Sequence, residues 1–413
     1  MAFVKKQVDV TPIEDTVFAI VKLAKQAITE KGDDAVVNAT IGSLYGEDGR
    51  IVAYDSVFGP YDRIKKEVKA AYAASFTGNE SYRKQVYEWV CGDNKLHLAH
   101  SVIATAGGSG AVSIAINEML DEGQTLVIPK IAWGSYALMA SMHNVAVTSY
   151  ELFDGDRFHL RDFERVCREV MEKQHKLLVV INDPCHNPTG YSMSMAEWKQ
   201  VIGFLNELSA LGDVVILNDV AYIDYAYQKD ARAYLSVLNE MNAHVMCIVA
   251  FSCSKTLTSY GLRCGAALLL AKDAAQVREV EIVFEKMARS LWSNIPNAAM
   301  ENFTYVTTIG KDAFLQEKQE YVELLRKRSA CFIEEAEACA LPCYPYKEGF
   351  FVTVKMPDNQ TRDRFHEALM KQDIYTVKVN TGIRVAICSL PLKKCEGLAK
   401  RMKEIYVQVE AER

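Results

Sequence analysis

The 413 residues carry 47 Lys and Arg against 53 Asp and Glu, for a net charge of −6, and half of them are hydrophobic. That length exceeds one small core and suits two or three interleaved domains, while the balanced composition excludes a disordered or low-complexity chain. The acidic balance argues against nucleic-acid binding, which shows a basic footprint, and no apolar run approaches the roughly 18 to 20 residues of a membrane span.

Eleven cysteines without a C-x-x-C pair read as free thiols in a reducing compartment, with no metal site. The stretch Met1–Gln7 lacks the apolar run of a signal peptide, so a cytoplasmic location is expected. A helical stretch around Thr16–Glu30 comes first. A glycine-punctuated loop or hairpin follows, Val37-Asn-Ala-Thr-Ile-Gly-Ser-Leu-Tyr-Gly-Glu-Asp-Gly-Arg50. From about residue 60 to 300, short apolar runs alternate with amphipathic helical stretches, which predicts a largely parallel α/β sheet. The clearest strands are Val102–Ala106, Thr125–Ile128, Leu177–Asn182, Val214–Leu217 and Met246–Phe251. All are nearly continuous in apolar residues, as strands covered by helices on both faces are. After Gly310, the spacing of Phe314, Tyr321, Leu325 and Phe332 predicts a long helix. Gly349–Lys355 and Thr381–Cys388 alternate like half-exposed strands around a helix at Arg362–Lys371. The expected division is a large domain over 50–310 and a smaller α+β domain made of 1–49 and 311–413.

In open α/β sheets, ligands bind beyond the carboxyl ends of the strands. The first predicted strand runs into Gly107-Gly-Ser-Gly-Ala111 and the second leads to Trp133. The third ends in Asp183-Pro-Cys-His-Asn-Pro-Thr-Gly190, the fourth in Asn218-Asp-Val-Ala-Tyr222, the fifth in Ser252-Cys-Ser-Lys255. A glycine loop able to cradle an anion, an indole, an amide, a carboxylate, a phenol and a lysine thus meet at one edge. That set suits an aromatic cationic ring carrying a phosphate. Singly, each has a plainer explanation. The glycine loop can be a strand-to-helix turn, Trp133 a packing residue, Asn187-Pro188 a turn opener, Asp219 a helix cap and Lys255 a surface lysine. No Gly-Lys-Ser/Thr follows the glycines, and Ser113 stands where a G-x-G-x-x-G frame needs its third glycine. Arg384, between Ile383 and Val385, is expected on the exposed side of its strand by periodicity.

Together these segments resemble the PLP-dependent (pyridoxal 5′-phosphate) aminotransferases of fold type I, class I/II. The resemblance spans almost the whole chain. It rests on Gly107-Gly-Ser-Gly-Ala, Trp133-Gly-Ser-Tyr, His186-Asn-Pro-Thr-Gly, Asn218-Asp-Val-Ala-Tyr, Ser252-Cys-Ser-Lys255, Arg263 and a late Arg384, in family order. It implies an α/β fold with a mostly parallel, seven-stranded-type sheet in a large domain beside a smaller α+β domain. It implies that Lys255 carries PLP, that Asp219 pairs with the ring nitrogen, and that Asn187 and Tyr222 bond the ring's phenolic oxygen. Trp133 would stack on the ring, and Gly108, Ser109, Ser252 and Arg263 would hold the phosphate. Arg384 would take the substrate α-carboxylate, since a guanidinium fork matches two oxygens.

The segment 38–50 is similar to the aspartate and aromatic aminotransferase group, in which Ile41 and Gly42 would line the substrate site. Arg289-Ser-Leu-Trp-Ser-Asn-Ile-Pro296 is similar to the segment that donates a second arginine across a dimer interface to a side-chain carboxylate; Arg289 could instead cap its helix. The resemblance therefore implies a homodimer with shared active sites, transaminating an aspartate-type or aromatic L-amino acid with a 2-oxo acid such as 2-oxoglutarate. A β-lyase or decarboxylase on the same scaffold would keep the PLP residues without needing Arg289. A PLP-sensing regulator with an added DNA-binding domain is disfavoured by the acidic charge. Two departures stand out. Phe76 occupies the place of a tyrosine that serves the neighbouring subunit's phosphate, and Tyr136 stands where a histidine often backs the ring-nitrogen carboxylate.

Overall fold

Seven strands form the central sheet: β1 (Ala99–Ala106), β2 (Thr125–Pro129), β3 (Ala146–Tyr150), β4 (Lys176–Asn182), β5 (Asp213–Asp219), β6 (Val245–Ser252) and β7 (Cys264–Ala271). Their order is β1-β7-β6-β5-β4-β2-β3, with β7 antiparallel to both neighbours and the remaining pairs parallel. The structure, a computed structural model, describes residues 3, 4, 10–12 and 16–411. All five predicted strands are present, each lengthened by one or more residues. The other two, β3 and β7, escaped the sequence reading. β3 is an edge strand of mixed polarity whose Ala146 and Val147 are exposed. β7 follows directly on the lysine-bearing loop without a helix to announce it.

Alternation along each strand sorts side chains between two cores. Leu177, Val179 and Ile181 of β4 face one core with Phe163 and Trp198, from the helices Leu160–Gln174 and Met195–Leu208. Leu178 and Val180 face the other, with Ile114 and Phe284 from the helices Gly107–Met119 and Ala274–Leu291. Helices on both faces leave only the strand ends open to ligands. The helix Met195–Leu208 starts at a capping box in which Ser194 and Glu197 satisfy each other's main-chain N–H groups. That box fixes where the loop after β4 must end.

The long helix spans Lys311–Ala338, with Phe314, Leu325 and Phe332 fully buried as the spacing predicts. A second sheet follows, antiparallel, in the order β8-β10-β9, comprising β8 (Phe351–Lys355), β9 (Val377–Val379) and β10 (Gly382–Ala386). Its strands are not half-exposed as the alternation suggests: all of β10 and all of β8 but Lys355 are buried. The reason is tertiary. One face packs on Phe365 of the helix Asn359–Lys371, and the other lies against the loop after β4, where Thr353 Oγ1 donates to Pro188 O at 2.6 Å.

The N-terminal helix Thr16–Lys31 leads to Val37–Asn38, which pairs in parallel with Ile374–Tyr375. Tyr45 bridges Ile51 antiparallel, giving the expected hairpin. Fully buried Arg328 staples this hairpin, donating to Glu47, to Tyr45 O and to Cys388 O. Among the described residues, no helix is long and apolar enough to cross a membrane.

Candidate active site

The carboxyl ends of β4, β5 and β6 carry the central groups. Asn182 closes β4, donating to Asp219 O at 2.8 Å and accepting from Asn187 N at 2.7 Å, so one amide sets two site residues. Asp219 is buried at the end of β5. Its Oδ2 accepts from Tyr136 Oη at 2.6 Å and its Oδ1 from Ala221 N at 3.1 Å. Burial raises its pKa, while the Tyr136 and Ala221 donors oppose that rise. Tyr136 is fully buried in the first turn of the helix Ser135–Met142 and meets Trp133 edge-on at 5.3 Å. The expected replacement of histidine by tyrosine behind this carboxylate is therefore a direct hydrogen bond.

Lys255 sits in the short helical turn Cys253–Thr256 that follows β6. Its Nζ donates to Gly42 O and lies 4.8 Å from the Tyr260 ring centroid, 5.4 Å from Tyr222 and 5.9 Å from Phe350. Removal from water, with lesser contributions from the Arg384 and Arg263 guanidiniums, holds this amine down to about 8. The turn is pinned from behind. Tyr225 Oη donates to Lys255 O at 3.0 Å, and Thr256 Oγ1 donates at 2.6 Å to Asp224, itself paired with Arg232 and Lys318. A surface lysine has none of this.

Arg384 projects from β10 into the same cleft and is 8 % exposed, which overturns the expectation of an outward-facing strand residue. Both faces of β10 are covered, one by the helix Asn359–Lys371 and the other by the loop after β4, so period two cannot distinguish core from cleft. Its Nη2 donates to Thr40 O at 3.0 Å, its Nη1 lies 3.3 Å from Asn187 Oδ1, and its guanidinium is 4.3 Å from the Phe351 centroid. Its Nε is buried without a partner, and among the described residues it forms no ion pair. A buried guanidinium without a counter-ion is costly, and a carboxylate is the group whose charge would complete it.

The helix Gly107–Met119 starts where β1 ends, aiming its first N–H groups at the cleft. Gly107 has φ +69°, and a Cβ there would overlap the Arg263 guanidinium. A Cβ at Gly108 would stand 3.1 Å from Ser252 Cβ. Arg263, itself left-handed at φ +49°, is held by Ser254 Oγ at 3.0 Å and Tyr260 O at 2.8 Å. Ser109 lies in the first turn, and Ser252 is buried opposite. Small residues, helix N–H groups and a fixed guanidinium fit a phosphate-sized dianion, and the aromatic and carboxylate groups beside them fit a cationic ring.

One candidate stands apart. Arg289 is exposed in the last turn of its helix, where Nη1 donates to Ser293 Oγ at 2.5 Å and the guanidinium lies 4.7 Å from the Phe76 centroid. Sequence reasoning missed the wall of the cleft. Phe350 and Phe351 read as ordinary residues of the predicted strand Gly349–Lys355, and Tyr260, between Lys255 and Arg263, carries no assigned role there. Among the described residues, no cluster of His, Cys, Asp and Glu could hold a metal ion.

Comparison with known proteins follows the same lines. Residues 63–402 match the family described as aminotransferase class I and II. The chain belongs to this family. An aminotransferase from Anaerococcus prevotii is 31% identical with a TM-score of 0.93, over 98% of this chain and 99% of that one. The mitochondrial aspartate aminotransferase of Schizosaccharomyces pombe is 23% identical over 286 residues, 68% of this class I and II chain and 63% of its own length. An aromatic-amino-acid aminotransferase from Burkholderia pseudomallei, solved covalently bound to pyridoxal phosphate, superposes with a TM-score of 0.78. It is 19% identical over 98% of this chain and 100% of that one, a likeness of fold alone. The match spans 63% of the length of the Schizosaccharomyces pombe enzyme and about half of the length of two others, an aromatic-amino-acid aminotransferase of Paracoccus denitrificans and an aspartate aminotransferase of Salmonella typhi. The fold expected from the sequence, fold type I, is the one these neighbours share.

Proposed function

We propose that this class I and II family member is a PLP-dependent aminotransferase exchanging the amino group between an aspartate-type or aromatic L-amino acid and a 2-oxo acid, with 2-oxoglutarate as the preferred acceptor.

 The acceptor is named for its second carboxylate, which gives Arg289 a partner. One observation carries the reading: the Lys255 amine, held near 8 at the mouth of the cleft, shares it with a buried carboxylate and a buried guanidinium that has no counter-ion.

PLP, when bound, supplies the electron sink for bonds at the substrate α-carbon. The protein's own groups supply the rest. Gly108, Ser109, Ser252 and Arg263 would hold the phosphate, Asp219 the protonated ring nitrogen, Asn187 and Tyr222 the phenolic oxygen, and Trp133 one ring face. Lys255, neutral in an appreciable fraction at pH 7 to 8, is a competent nucleophile and then carries the proton leaving the substrate α-carbon. Arg384 would orient the substrate through its α-carboxylate, beside Gly42 and Ile41. Arg289 would serve the partner's cleft in a cytoplasmic homodimer with shared active sites. Residues 50–310 would form the cofactor-binding domain, with 1–49 and 311–413 as the smaller one.

The test is chemical. Protein reconstituted with PLP and treated with borohydride should carry the label on Lys255 in a peptide map, and Lys255→Ala should lose all turnover. A label on another lysine would overturn the assignment.

A further inference from the structure

Glu348 is 1 % exposed and, among the described residues, has no cationic partner. Its two oxygens are met by hydrogen-bond donors. Ser192 Oγ donates at 2.5 Å and Gln228 Nε2 at 2.9 Å to Oε1, while Tyr227 N at 2.6 Å and Gln228 N at 3.3 Å reach Oε2. Lys347, its neighbour, turns away to Ser192 O and the Tyr191 ring. A buried carboxylate without a counter-ion is costly to keep, and a hydrophobic side chain would pack there at less expense.

The donors belong to two segments that carry site residues. Ser192 ends the loop that presents Asn187, and its Oγ also accepts from Cys185 N at 2.9 Å, so the carboxylate acts through it on the left-handed Cys185. Tyr227 and Gln228 follow the segment that presents Asp219 and Tyr222. Glu348 itself is two and three residues before Phe350 and Phe351, the rings beside Lys255 and Arg384. The main chain repeats the link, since Lys347 N and Glu348 N both donate to Gly190 O, at 2.8 and 2.9 Å. The other end of the Asn187 loop is fixed separately, by Asp183 accepting from Met193 N and Trp198 Nε1.

We propose that Glu348 is a positioning residue, whose buried carboxylate joins the Asn187 loop and the segment after Tyr222 to the Phe350–Phe351 wall. The proposal rests on the aminotransferase reading above. Glu348→Gln keeps the volume but puts an NH₂ group where an oxygen accepts from N–H and O–H donors. Ser192→Ala removes one donor without touching the cleft, and carries the test if the glutamine variant fails to fold. Ser194→Ala, at the helix cap beyond the same loop, is the control for lost stability.

The experiment is a pH titration of bound-PLP absorbance in the reconstituted enzymes, with KM and kcat for one amino donor. In the Glu348→Gln and Ser192→Ala proteins, the titration midpoint should move by about half a unit or more, a roughly threefold change in the protonation equilibrium. kcat/KM should fall on the order of tenfold to a hundredfold. Ser194→Ala should lower the melting temperature and leave both unchanged. Wild-type titration and kinetics in folded Glu348→Gln and Ser192→Ala proteins would overturn the role of Glu348 alone. A wild type that forms no titrating chromophore with PLP would overturn the functional reading and this proposal with it.

Discussion

Lys255 stands in an environment unlike that of an ordinary surface lysine. Its amine titrates near 8 in the folded chain against 10.5 when free. Between those values the unfolded chain holds a proton the folded one lacks, so stability rises with pH across that window. Below about 8 the full cost is present, at most about 3 kcal/mol. Cofactor-free Lys255→Met should therefore be more stable than wild type at pH 6.5, with the difference shrinking towards pH 10.5. Denaturant titrations at the two pH values measure it, and a difference independent of pH would contradict the desolvated amine. Tyr136 is the second informative residue. Its phenol, unlike an imidazole, stays neutral throughout the physiological range and donates one hydrogen bond to Asp219. Tyr136→Phe should weaken PLP binding roughly tenfold to a hundredfold, because a hydrogen bond to a charged group contributes about 1.5–3 kcal/mol. Fluorescence titration of the cofactor-free protein reads this directly.

At the scale of elements, two arginines on different supports have different expected roles. Arg384 stands on the middle strand of a covered sheet, locked by Thr40 and Asn187, and on the proposed reading would take the carboxylate that all amino-acid substrates share. Arg289 is exposed at the end of its helix, resting on Phe76 and Ser293. Arg384→Leu should impair every substrate. Arg289→Leu should cost dicarboxylates roughly tenfold to a hundredfold in kcat/KM and aromatic substrates little. Steady-state kinetics with aspartate and phenylalanine compare the two, and equal losses for both in the Arg289 variant would make that residue structural. The same contrast shows what periodicity can reveal. The spacing of Phe314, Tyr321, Leu325 and Phe332 predicts the long helix, and three of the four are fully buried on it while Tyr321 is half-buried. Periodicity misplaces Arg384, because both faces of its strand are covered.

For the whole molecule, shared active sites make a prediction that mere dimerisation does not. An Arg289→Leu chain and a Lys255→Ala chain, each poorly active towards aspartate alone, should regain activity when co-refolded. The hybrid then holds one cleft with Lys255 from one protomer and Arg289 from its partner. Recovery should approach a quarter of the wild-type rate for random mixing of equal amounts, roughly half the dimers having one intact cleft of two. No recovery in verified hybrids would place both residues in one chain's cleft.

Five of the seven strands of the main sheet, the chemistry at their ends and the family were legible in the sequence. Continuous apolar runs demand coverage on both faces, and a lysine, a carboxylate and a glycine loop keep their chemical character wherever the chain places them. Which groups touch was decided by the tertiary structure. Tyr136 meets Asp219 across 83 positions, Arg384 meets Asn187 across 197, and Lys255 meets Gly42 across 213. No local pattern encodes such pairs. The same holds for Glu348, which reads as an ordinary surface glutamate between Lys347 and Gly349. Only the packing of the second sheet against the Asn187 loop removes it from water and supplies its hydrogen-bond donors.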